Sequence, residues 1–110
     1  MEAAEFLVQG SAPEPYRVLF QRNGKNLSAY CTCPAGEEGM HCKHRIRILQ
    51  GSSEGIVSHN ERDVALVAGW LVGTDVEVAL QRVISLENEA ARVTQALRLA
   101  KKALAKCFLD

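Results

Sequence analysis

Three cysteines and a histidine, set as Cys31-Thr-Cys33, an eight-residue gap and Cys42-Lys-His44, impose a closed geometry on the first half of this chain. Two cysteines two positions apart on an extended segment point to the same face, so both thiolates can reach one ion. The gap opens with Pro-Ala-Gly-Glu-Glu-Gly at residues 34–39, a loop that returns the chain and delivers Cys42. Cys42 and His44 cannot share one face of a regular helix, because a two-residue step turns roughly 200° about the axis. The spacing therefore places Cys42 just before a helix and His44 in its first turn, where the positive helix end favours thiolates. Three sulfurs and one imidazole suit tetrahedral zinc, and four protein ligands make the site structural rather than catalytic. His41 is the alternative to His44 as fourth ligand. The His-x-Glu signature of the zinc deaminases is absent.

The rest of the composition limits the setting. Cys31 and Cys33 are too close for an unstrained mutual disulfide. Residues 1–5 carry neither a basic segment nor an apolar core, so the expected location is cytoplasmic, or nucleoid or nuclear if DNA is bound. Clustered thiols in such a compartment point to metal. The longest strongly apolar stretch, residues 64–73, is too short to span a bilayer. Hydrophobic residues at 47% and charged residues at 24% are the composition of a globular chain. Thirteen basic residues balance thirteen acidic ones, which argues against a binder driven by net charge and leaves room for a local basic surface.

The first half reads as strands around the cluster. Residues 5–9 suggest an edge strand, and residues 16–21 and 26–31 flank Asn23-Gly24, the strongest short hairpin signal. A type I′ turn there sets Arg22 opposite Lys25, Phe20 opposite Leu27, Val18 opposite Ala29 and Tyr16 opposite Cys31. Residues 43–49 predict a short helix with Ile46 and Leu49 inward, ended by Gly51. The Gly/Ser-rich stretch 51–57 separates a module at 1–50 from a helical region at 58–110.

That region opens with Ser58-His59-Asn60-Glu61, a capping box before Val64, Val67, Ala68 and Leu71, with Gly73 closing the helix and His59 on the surface. Thr74-Asp75-Val76-Glu77 is a second box. After it, Val76, Ala79, Val83, Leu86, Ala90, Val93, Leu97, Ala100, Leu104 and Cys107 alternate steps of three and four, a heptad seam on which Cys107 reads as a small core residue. An unbroken helix of about 33 residues would measure roughly 50 Å. It breaks near residues 85–88, folds back on the preceding helix, or projects and buries its seam on a partner. Pairing through Val83, Leu86, Val93, Leu97 and Leu104 makes the chain a homodimer. The expected fold class is α+β: a small zinc-stabilised β-hairpin and short-helix module, then an α-helical hairpin with a long heptad-patterned C-terminal helix.

The Cys-x-Cys and Cys-x-His pairs, the hairpin leading into the first and the helix following the second resemble the SWIM zinc finger over residues 16–49. The resemblance implies Cys31, Cys33, Cys42 and His44 as zinc ligands. It also implies association with DNA or with protein partners and no activity of the larger enzymes in which such fingers occur. Lys43, Arg45 and Arg47 bracket the last ligands, and Arg98, Lys101 and Lys102 belong to an acid-free segment at residues 90–109. These are the candidate phosphate contacts of a DNA-associated protein. The competing reading is an adaptor docking on a protein partner, with the cations serving solubility and the helix dipole. No constellation of catalytic residues accompanies the cysteines, so an enzyme is not expected.

Overall fold

The computed structural model describes residues 1–110. β2 (Tyr16–Asn23) and β3 (Asn26–Cys31) form the antiparallel hairpin, in a register shifted from the expected one. Asn23 pairs with Asn26, which leaves Gly24 and Lys25 as the turn. Of these two only Gly24 has a positive φ, 62°. Positive φ at the first central residue alone is the mark of a type II′ turn, whereas Asn-Gly at the centre of type I′ needs it at both. Phe20 consequently faces Ala29 rather than Leu27, Val18 faces Cys31 rather than Ala29, and Tyr16 has its partner, Val8, on the other side. Because each partner moves by two positions, side-chain parity survives. Val18, Phe20, Leu27 and Cys31 remain on the buried face.

β1 (Glu2–Val8) completes a three-stranded sheet of order β1-β2-β3. Its Phe6 meets Phe20 edge-to-face, centroids 6.1 Å apart. The outer edge of β1 from Glu5 onward is covered by residues 55–60, which include the end of the stretch expected to be a linker. Leu7 accepts from the Val57 N–H at 2.8 Å, and the Gln9 N–H donates to the Gly55 carbonyl at 2.8 Å. The Leu7 N–H donates to Ser58 Oγ at 3.1 Å, and Asn60 Nδ2 donates to the Glu5 carbonyl at 2.8 Å. Ser58 and Asn60 are therefore partners of the sheet and not a helix cap. The following helix, α3, begins only at Asp63.

Three short helices accompany the sheet: α1 (Pro34–Glu37), α2 (Lys43–Leu49) and α3 (Asp63–Trp70). α2 has the expected bounds, but Ile48 and Leu49 are its buried apolar residues, and Ile46 is only half-buried. α3 adds Val64, Val67 and Trp70 to the core. Gly73, at φ 82°, turns the chain into α4 (Asp75–Cys107). Thr74 Oγ1 accepts from the Glu77 N–H at 3.2 Å, and Glu77 Oε1 reaches back to the Gly73 N–H at 3.1 Å. This is the second capping box, its return arm displaced by one residue.

The chain divides into two compact units, Met1–Glu77 and Val78–Asp110. The second is the continuation of α4, which runs unbroken for 33 residues, through 85–88. Its seam is half-buried at Val76 and Val83 and open beyond them: Leu86, Val93, Leu97 and Leu104 are exposed, and so is Cys107, which is no core residue here. No helix is long and apolar enough to cross a membrane.

Candidate metal centre

Each element around the cysteines delivers a ligand from its end. Cys31 is the last residue of β3. Cys33, at φ −66° and ψ 158°, is the N-cap of α1, and its Sγ accepts from the Gly36 N–H at 3.3 Å. Cys42 is the N-cap of α2, and His44 is that helix's second residue. Residues 34–39 were expected to be loop. Pro34 directly after a capping residue is the signal for the short helix there, since its fixed φ suits the first helical position.

The turn of α1 passes so close to β3 that a Cβ on Gly36 would lie 2.5 Å from the Cys31 carbonyl oxygen and 2.8 Å from Cys31 Cβ. Gly36→Ala is therefore expected to push the Cys31 and Cys33 backbones apart. The overpacking cost is about 1–3 kcal/mol. A thermal melt of the metal-loaded protein, with metal affinity measured alongside, checks it; unchanged values in both would mean the loop accommodates the methyl.

The four side chains converge. Cys33 Sγ is 3.4 Å from Cys42 Sγ, and His44 Nδ1 is 3.6 Å from Cys42 Sγ and 3.8 Å from Cys31 Sγ. All four ligand atoms lie within 4.8 Å of one another, and all four residues are buried, between 2% and 7% exposed. The group can hold one metal ion. His41 is exposed and stands outside it. The His44 imidazole is oriented by the Tyr16 ring, centroids 5.1 Å apart. Gly10 permits that packing, because a Cβ there would come 2.5 Å from the Tyr16 ring and 3.5 Å from His44 Nε2. Neither Tyr16 nor Gly10 was visible as a site residue in the sequence, where Tyr16 stood only as a cross-strand partner.

Burial is the largest influence on each titrating ligand. It pushes the Cys31 thiol up to about 12. It opposes ionisation of Cys42 too, but the Arg45 and His44 backbone N–H groups and the Cys33 and Cys31 side chains together hold that thiol below its ordinary value. Burial, then the charges of Lys43 and Arg47, lower His44 and so favour its neutral imidazole. Burial thus opposes the charged forms of Cys31, Cys42 and His44; a cation at the centre would supply the charge that thiolate ligands need.

The basic residues near the cluster divide by role. Arg45 donates to the Ala29 carbonyl at 3.1 Å and to the Met40 carbonyl at 2.5 Å, tying α2 to β3 and to the loop before Cys42. It is thereby withdrawn from the free basic surface that the sequence suggested, while Lys43 and Arg47 stay exposed. Arg98, Lys101 and Lys102 are exposed on α4. No protein-family model, curated protein or solved structure matches the chain.

Proposed function

We propose that residues 16–49 are a SWIM-type finger holding one structural zinc ion, and that the chain is a non-enzymatic, DNA-associated protein dimerised through α4. The convergence of Cys31, Cys33, Cys42 and His44 carries the zinc reading. A tetrahedral zinc site has S···S and S···N separations of about 3.5–3.8 Å. The observed 3.4, 3.6 and 3.8 Å fall close to that range. Four protein ligands leave no coordination position for a reacting water, which supports a structural role.

The DNA reading draws on α4. Residues 90–109 carry Arg92, Arg98, Lys101, Lys102 and Lys106 and no acid. Arg98, Lys102 and Lys106 recur every four residues, with Lys101 beside them, so they form one stripe. By helical period Lys102 and Lys106 lie across the axis from Leu97 and Leu104, Arg98 lies to the side, and Lys101 flanks the seam. Binding to duplex DNA is expected to weaken steeply with salt. Arg98→Ala with Lys101→Ala and Lys102→Ala is expected to flatten the log–log salt slope by about one for each phosphate no longer neutralised. No duplex binding at low salt would favour the adaptor reading, which draws on the same exposed seam as a docking face for a different protein.

A further inference from the structure

We infer that the partner of the α4 seam is a second copy of this chain running antiparallel over the full length of the helix. The inference rests on the dimerisation proposed above and adds its direction and register. Two features of the helix select that arrangement.

The first is side-chain volume. In a parallel pair every seam residue meets its own counterpart, so Ala79, Ala90 and Ala100 would each face another alanine and leave thin layers. Reversing one helix about a centre between residues 91 and 92 changes every such layer. Leu104 then lies opposite Ala79, Val83 opposite Ala100, Val93 opposite Ala90, and Leu86 opposite Leu97. Each alanine meets a larger side chain, and large and small alternate across the interface as a well-filled core requires. Ala79, Ala90 and Ala100 are exposed along with Leu86, Val93, Leu97 and Leu104, and Val83 is half-exposed.

The second is charge. Residues 75–89 carry Asp75, Glu77, Glu87 and Glu89 against Arg82 alone, and residues 94–108 carry four bases and no acid. The antiparallel register sets the first segment against the second in both halves of the pair. The parallel one sets the basic segment beside its own copy, with Lys101 on the flank of the seam, which steers encounter the wrong way.

Cys107 is an exposed free thiol at one end of the seam and serves as the reporter. Sedimentation of the full, zinc-loaded chain under reducing conditions reads the oligomeric state. Oxidised glutathione is then applied to four samples: the native chain, the Ala79→Cys and Leu104→Cys variants, each also carrying Cys107→Ser, and the two variants mixed. The expected result is a dimer by sedimentation, no Cys107–Cys107 disulfide in the native chain, and a covalent dimer dominated by the mixed 79–104 species. A dimer cross-linked through Cys107, or through 79–79 and 104–104, overturns the orientation and leaves dimerisation standing. A dimer that gives none of these disulfides overturns the full-length register. A monomer removes both readings.

Discussion

Cys33→Ser is expected to abolish stoichiometric zinc binding and to unfold the first unit, Met1–Glu77. The substitution isolates the ligand role, because Cys33 is also the N-cap of α1 and serine is a favoured residue at that position. What is lost is the thiolate. Structural zinc contributes about 10–16 kcal/mol of apparent binding energy in finger peptides, comparable with or larger than the whole stability of a small domain. The serine variant should therefore show no cooperative melt, zinc-loaded or not, and the native chain with a strong chelator should behave the same way. Cys107→Ser, on an exposed residue, is the control that changes neither zinc content nor melting. One zinc per chain and an unchanged melt in the Cys33 variant would take that residue out of the ligand set.

Phe20→Ala is expected to cost the zinc-loaded protein about 3–5 kcal/mol, the range for removing a fully buried aromatic ring. Phe20 is entirely buried on the central strand and packs edge-to-face against Phe6. A unit of this size buries a modest core, so such a loss consumes a large share of its stability. Urea unfolding followed by tryptophan fluorescence measures it, since Trp70 is the single tryptophan and is buried in the same unit. Tyr30, on the same hairpin but 57% exposed, provides the comparison. Tyr30→Ala should stay within about 0.5 kcal/mol. A Phe20 effect below about 1 kcal/mol would mean that the metal, and not the sheet face, holds the unit together.

The residues that spoke most clearly in the sequence were those whose chemistry is local. The two short ligand pairs and the helix at Lys43–Leu49 each follow from geometry within a few residues, and the structure brings the four ligands together and has that helix. What was misread depends on partners distant in sequence. Ser58 and Asn60 have the composition of a helix cap, yet β1, about fifty residues away, presents open backbone groups that bind them instead. Asn23-Gly24 announced a turn correctly but not its type, because the strands settle which two residues stand at its centre. Gly36 and Gly10 were silent for the same reason. A glycine's significance lies in what approaches it, here the Cys31 backbone and the Tyr16 ring.

Both margins of the sheet carry obstacles. Residues 57–60 satisfy the Leu7 amide and carbonyl and the Glu5 carbonyl of β1, and Arg45 occupies the Ala29 carbonyl on β3. An extended peptide therefore finds no free ladder along the Glu5–Leu7 stretch of β1, and strand addition, the simplest route both to peptide capture and to amyloid-like stacking, is blocked there. Whatever this module recognises along that margin must be met by side chains, and a fold this small gains resistance to templated growth without lengthening its strands.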